Sequence, residues 1–164
     1  MRWRFTDKAL LFAPWEYIAT VKAGSLEEYS LLERWGETGK APGSLLLESA
    51  VQAARWLVEA SSSFTHSCVL REINHWRATD GLRPGERFCV FLRVTERSGE
   101  HLSLALRQKR VMPGERLPET AFREQPDDTG RADDADGLFS VSLTPLKDWY
   151  LPGDRETLWR ELRP

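Results

Sequence analysis

The sequence predicts an α+β domain in which a curved antiparallel sheet wraps around one long helix. Three observations lead to this prediction. Residues 42–59 form an apolar stretch of helical length with no glycine after Gly43. Several shorter segments alternate apolar and polar residues, as strands do. Turn residues separate those segments at short intervals, which favours hairpins and therefore antiparallel pairing.

The long helix is predicted from Pro42 to Glu59 and is apolar around most of its circumference. Its first residues, Pro, Gly and Ser, suit the start of a helix, and its composition predicts that it is buried. One polar stripe remains, spaced i, i+4, i+7 and i+11: Glu48, Gln52, Arg55 and Glu59. We expect Arg55 and Glu59 to face solvent. Glu48, near the N-terminal end, could face solvent or do chemistry.

The segments before this helix predict two strands and a short helix. Residues 1–22 are rich in aromatic and β-branched residues, and the second strand is expected at about Glu16 to Lys22. Ser25, with Glu28 three residues later, has the spacing of a capping box. A short helix is therefore expected from Ser25 to about Trp35.

Three strands are predicted after the long helix. The first runs from about Cys68 to Ala78, the second alternates around residues 88–95, and the third runs from about Leu102 to Met112. We expect the first two to form a hairpin that turns near Leu82. In that register Cys68 and Cys89 are not opposite each other, which argues against a disulfide.

Residues 113–136 are rich in proline and acids and predict a long loop, with a short strand near Glu119 to Arg123. Asp133 to Gly137 resembles the start of a calcium loop, but the ligand pattern does not continue, so no metal site is predicted. A last strand is expected at about 138–145, and Asp154 is expected to cap a short helix at about 154–163. We interpret residues 1–164 as a single domain.

Composition excludes several classes of function. The chain has 164 residues, of which 41% are hydrophobic and 29% charged, and its net charge is −2. No basic stripe suggests nucleic acid, and no apolar run is long enough for a membrane helix. Two cysteines do not make a disulfide framework, so a reducing cytoplasm is expected. The seven tryptophans are expected mainly in the core and in interfaces.

One motif resembles a known family. Pro42 and Gly43, then Glu48 and Gln52, are similar to the Pro-Gly-x-x-x-x-Glu-x-x-x-Gln signature of the hotdog-fold β-hydroxyacyl-(acyl-carrier-protein) dehydratases. Downstream, residues 73–77 and 83–86 resemble that family's next strand and its Pro-Gly-Asp turn. The resemblance covers about residues 16–112, and it implies a hotdog fold.

The resemblance also implies roles for particular residues. It makes Glu48 the catalytic carboxyl in dehydration of a (3R)-hydroxyacyl thioester and Gly43 the backbone donor to the thioester carbonyl. Gln52 could hold the carboxyl of Glu48 by a hydrogen bond. The family's histidine, on the loop before the helix, corresponds to Arg34. A guanidinium stays protonated near neutral pH, so Arg34 could bind a carbonyl or a carboxylate but could not act as an ordinary base.

Three functions therefore remain open from the sequence. They are a dehydratase-like enzyme of fatty-acid or polyketide-type biosynthesis, a non-catalytic hotdog protein that binds an acyl chain or carrier protein, and an acyl thioesterase. The implied partners are an acyl carrier protein or a coenzyme A thioester. We expect a homodimer or an oligomer of dimers, or a heterodimer with a homologue that carries the histidine, and no cofactor. The most conservative interpretation of His75 is an ordinary strand residue.

Overall fold

The computed structural model describes residues 6–24, 43–77, 82–115, 137–146 and 152–163. In chain order, the first elements are β1 (Lys8–Ala13), β2 (Tyr17–Ala23) and α1 (Gly43–Ser61), followed by β3 (His66–Trp76), β4 (Arg87–Ser98), β5 (His101–Val111), β6 (Gly137–Pro145) and α2 (Pro152–Leu162). The long helix and the strands on both sides of it are confirmed. The helix expected at Ser25 to Trp35 and the strand expected near Glu119 to Arg123 lie outside the described residues.

Six strands of the described residues form one antiparallel sheet in the order β1-β2-β4-β5-β6-β3. The expected hairpin between β3 and β4 is wrong, because β3 pairs with β6 at the far edge of the sheet. The start of β4 is instead tied to the end of β2: Gly24 donates its N–H to the carbonyl of Glu86, and Gly85 donates to the carbonyl of Gly24. The chain therefore crosses from one side of the sheet to the other after β3.

We call the face of the sheet that packs on α1 the inner face and the opposite one the outer face. Along α1, Ala53, Leu57 and Val58 are completely buried and pack with apolar side chains from the strands. The residues that β2, β4, β5 and β6 contribute to this core cluster follow the alternation of the pleat: Ile18, Phe88, Val90, Leu92, Leu102, Leu104, Leu106, Phe139 and Val141. The sheet thus wraps around the helix, as the sequence predicts.

The outer face has a small apolar cluster of its own where β1, β2, β4 and β5 meet. Its buried members are Leu10, Ala19, Val21, Cys89 and Val111. Cys68 belongs to the inner cluster, so the sheet separates the two thiols, and both are free. Burial raises the pKa of the Cys68 thiol to about 12 and that of Cys89 to about 11, which makes both poor nucleophiles.

The C-terminal helix α2 docks on the C-terminal half of α1 and on β1. The Trp159 ring lies 5.1 Å from that of Phe12 in an edge-to-face arrangement and 5.7 Å from that of Trp56, nearly parallel. Such aromatic pairs stabilise beyond the area they bury. The helix begins at Pro152, so Asp154 lies in its first turn and not at the cap as expected. An acid there still suits the helix dipole.

Candidate functional site

The predicted site lies on the N-terminal half of α1. Gly43 is the first residue of the helix, so its N–H is one of the four amides that have no acceptor within the helix. Glu48 and Gln52 follow on one helical face, one turn apart. Arg34, the remaining predicted site residue, lies outside the described residues.

The Glu48 carboxylate is accessible. Its Oε1 atom lies 3.8 Å from Nη1 of Arg55, and the two side chains are 38% and 36% exposed. Arg55, expected in solvent, is therefore half-buried and lies beside the predicted catalytic carboxyl. Gln52 is half-buried and makes polar contacts of its own. An accessible carboxylate can act on a bound molecule as a general acid or base. Amides in the first turn of a helix, which have no acceptor within the helix, can polarise a carbonyl.

The expectation that Glu59 faces solvent is wrong. Its side chain is 0% exposed, although it belongs to the same polar stripe as Glu48. Ser67 on β3 donates its hydroxyl to Oε1 at 2.6 Å. Arg155 on α2 donates from Nε to Oε2 at 2.7 Å, and its Nη2 atom lies 2.6 Å from the same oxygen in an ion pair. The guanidinium also lies 3.8 Å from the centre of the Trp56 ring, a cation–π contact.

Burial raises the pKa of the Glu59 carboxyl above its ordinary value. Desolvation is the largest cause, and the nearby charge of Arg155 and the hydrogen bond from Ser67 oppose it only in part. The sequence contains one signal for this buried cluster. Because α1 is apolar around most of its circumference, even a polar residue near its C-terminal end can be covered by another element. The partner itself, Arg155, could not be inferred, since it lies on a separate helix.

The three histidines all lie on strands that follow α1 in the chain. His66 begins β3, His75 lies near the end of the same strand, and His101 begins β5. The His66 Nδ1 atom lies 2.9 Å from the Thr65 hydroxyl, and His75 is a half-buried strand residue with polar contacts. The chain has no histidine before Phe64, so the loop before α1 cannot supply one.

Within the described ranges, no group of three or more His, Cys, Asp or Glu side chains could hold a metal ion. Asp133, Asp134 and Asp136 of the calcium-like segment lie outside those ranges. Among the described helices, none is long and apolar enough to cross a membrane.

Comparison with solved structures identifies the fold. The smu.793 protein of Streptococcus mutans, solved with acetyl CoA, matches with a TM-score of 0.55 at 12% identity over 88% of this chain and 94% of its own. A Thermus thermophilus thioesterase superfamily member matches with a TM-score of 0.52 at 13% identity over 93% of both chains. A chain of the dehydratase heterocomplex ApeI:P of Xenorhabdus doucetiae matches with a TM-score of 0.50 at 10% identity over 86% and 83%.

These comparisons confirm the predicted α+β class and show that the chain has the hotdog fold. At identities of 10–13% the likeness shows the fold alone. No protein-family model and no curated protein sequence matches the chain. Function must therefore be argued from the side chains of the site.

Proposed function

We propose that this protein binds an acyl thioester at the N-terminal half of α1 and acts on it with the carboxyl group of Glu48. The observation that carries the proposal is the accessible Glu48 carboxylate on a largely buried helix of a hotdog fold, with the amide of Gly43 at the helix start. Similar folds include a protein solved with acetyl CoA, and that supports a thioester as the ligand class.

The reaction that the motif favours is dehydration of a (3R)-hydroxyacyl group carried by an acyl carrier protein or by coenzyme A. Glu48 would transfer the proton, Gly43 would donate its N–H to the thioester carbonyl as charge develops, and Gln52 would orient the carboxyl group. Dehydration also needs a second proton-transfer group. Arg34 at the family's histidine position would bind a carbonyl or carboxylate and could not fill that role.

Hydrolysis of the thioester is the second candidate. One observation favours it: the chain has no histidine before Phe64, whereas a single carboxylate is enough to activate a water molecule. The likeness to a thioesterase superfamily member is compatible with this reaction. In a third case, the chain only binds the acyl group or pairs with a homologue that supplies the histidine, in which case it has no activity alone.

One assay separates the three functions. The purified protein is incubated with crotonyl-CoA, and loss of the conjugated double bond (hydration, the reverse of dehydration) and release of free thiol (hydrolysis) are followed in parallel. Glu48→Gln should lower the rate of whichever reaction the wild type catalyses by about 10²-fold or more, since a positioned acid–base group typically contributes that much.

The matched control is Glu156→Gln. It makes the same chemical change in an exposed ion pair, Glu156 with Arg160, on α2, and it should leave the rate unchanged. Equal rates for wild type and Glu48→Gln would remove Glu48 from the mechanism. The absence of both reactions in the wild type, with crotonyl-CoA still binding, would leave the non-catalytic function.

We also propose that the protein is a homodimer joined along β3. Among the described residues this strand lies at one edge of the sheet, and an edge strand can pair with a second strand. Its side chains from Arg71 to Asn74 are all exposed, including Ile73 at 37%. Ile73 is opposite Phe139 in the register and so lies on the inner face, where an apolar side chain is normally covered.

Molecular mass in solution tests the dimer. Wild type should have twice the monomer mass at micromolar concentration, and Ile73→Lys should shift it towards the monomer. Met112→Lys is the control, since Met112 is also a large exposed apolar residue but lies just beyond β5, away from the edge. A monomeric wild type would contradict the proposal. A heterodimer would instead require a second protein for assembly.

A further inference from the structure

A second polar site lies on the outer face of the sheet, across three neighbouring strands. Arg71 of β3 donates from Nε to the hydroxyl of Ser142 on β6 at 3.0 Å. The same hydroxyl lies 3.0 Å from Nδ1 of His101 at the start of β5. Ser142 is only 4% exposed, whereas Arg71 and His101 are exposed. The two exposed groups are thus joined through a buried hydroxyl.

The strand register explains why these three side chains meet. His101 is directly opposite Ser142, and Ser142 is opposite Val69. The pairing of β3 with β6 then skips Arg71, because Leu70 pairs with Val141 and the next pair begins at Glu72. Arg71 follows Leu70 of the inner face and so lies on the outer face by regular alternation, and the bulge puts Glu72 on that face as well. The Arg71 guanidinium lies beside the hydroxyl of Ser142 on the neighbouring strand.

Counting donors shows what the cluster can still bind. The Nε–H of Arg71 is used by Ser142, which leaves the terminal Nη donors of the guanidinium. Across the described residues, no carboxylate lies within 4.0 Å of this guanidinium. When the hydroxyl proton of Ser142 is donated to Nδ1 of His101, the remaining ring proton is on Nε2 and is a further donor. The nearest acid along β3, Glu72, is opposite Ser140 and lies one row away on the same face.

We propose that Arg71, Ser142 and His101 form a binding site for a tetrahedral oxyanion, specifically a phosphate group. A guanidinium presents paired donors that match phosphate geometry, and the imidazole adds a donor from β5, on the other side of β6. Ser142 holds both groups in place and does not itself react, since it is almost completely covered. The site is independent of Glu48 and of the acyl-thioester proposal. The phosphate could be free or carried by a larger molecule such as coenzyme A.

Calorimetric titration with inorganic phosphate at low ionic strength tests the proposal. Wild type should bind saturably, and Arg71→Gln should weaken binding about tenfold or more, as expected for loss of a charged donor. The matched control is Arg93→Gln. Arg93 is an exposed arginine of β4, opposite Tyr17 and Ala105, so it shares the outer face and its loss changes the net charge equally.

Two further variants, His101→Gln and Ser142→Ala, distinguish phosphate binding at this cluster from general attraction of phosphate to positive surface charge. Both should weaken phosphate binding, and Ser142→Ala does so without changing the net charge. Equal weakening by Arg71→Gln and Arg93→Gln, or no saturable binding by the wild type, would overturn the proposal. If Ser142→Ala does not fold, His101→Gln alone decides, because His101 is exposed and its substitution removes little packing.

Two further arms identify the source of the phosphate. If coenzyme A displaces inorganic phosphate in the wild type and dephospho-coenzyme A does not, the site binds the 3′-phosphate of the nucleotide. If neither displaces it, the site binds free phosphate. Glu48→Gln should bind phosphate as the wild type does, so failure of the thioester proposal and failure of this one can be told apart.

Discussion

The two ends of α1 carry two glutamate–arginine pairs in opposite environments. Near the N-terminal end, Glu48 and Arg55 are 3.8 Å apart and both are more than one-third exposed. Near the C-terminal end, Glu59 is fully buried, and Arg155 contacts it at 2.6 Å. Both acids belong to one polar stripe of the sequence. What separates them is α2, which covers one end of the stripe and leaves the other open.

The difference indicates separate roles for the two acids. An exposed pair contributes little to stability, because water screens it and both side chains lose entropy. A buried pair has lost its hydration, so each charge depends on the other. Glu59 therefore suits the docking of α2, which also places Trp159 against Trp56. Glu48 stays accessible to a bound molecule, which the proposed role in chemistry requires.

Removing the buried guanidinium of Arg155 is expected to have the largest effect on the free energy of unfolding. Arg155→Met would leave the Glu59 carboxylate buried with only the Ser67 hydroxyl, which should lower the free energy of unfolding by about 3–5 kcal/mol. Urea unfolding at neutral pH measures this loss. The control is Arg160→Met, which removes an exposed arginine paired with Glu156 on the same helix and should cost about 0.5 kcal/mol or less. Similar losses in both variants would contradict a structural role for the buried pair.

A change of pH is expected to alter the free energy of unfolding by less than the removal of Arg155 does. Because the pKa of Glu59 is raised in the folded state, the native protein binds this proton more tightly than the unfolded chain does. The resulting stabilisation is complete below the unfolded-state pKa and is lost as pH rises through the folded-state pKa. The stability of wild type relative to Glu59→Gln should therefore fall with rising pH, by about 1.4 kcal/mol per unit of pKa difference.

Unfolding of both proteins in urea, repeated across the acidic to neutral range, measures this difference. Groups that titrate equally in wild type and Glu59→Gln cancel, so the slope reports Glu59 alone. A difference that stays flat or increases with pH would show that the charge of Arg155 outweighs burial.

The same contrast shows how much of the molecule could be predicted from the sequence. Periodicity correctly located α1 and the strands, since burial of a helix or a strand face is encoded locally. The position of β3 and the burial of Glu59 depend on contacts between distant segments, which periodicity does not encode. The hairpin expected between β3 and β4 failed for this reason. Proximity in sequence favoured it, but β4 pairs with β2 and β5 instead.

The candidate site was predictable in part. The spacing of Gly43, Glu48 and Gln52 placed these residues on one helix, and the structure shows that arrangement. The sequence does not predict the proximity of Arg55 to Glu48, because Arg55 is expected to face solvent. The outer-face cluster of Arg71, Ser142 and His101 could not be found from the sequence, since it depends on pairing between three strands.

The smallest effect on stability is expected at Glu48. This prediction tests most directly whether Glu48 and Glu59 have different roles. Glu48→Gln removes an exposed pair whose atoms are 3.8 Å apart, so the free energy of unfolding should change by less than about 1 kcal/mol. Urea unfolding at neutral pH measures this change, with Glu156→Gln as the control. A near-neutral change combined with lost activity would assign this acid to chemistry, because a folded protein that no longer reacts has lost a reacting group. A loss as large as that of Arg155→Met would show that Glu48 is structural too.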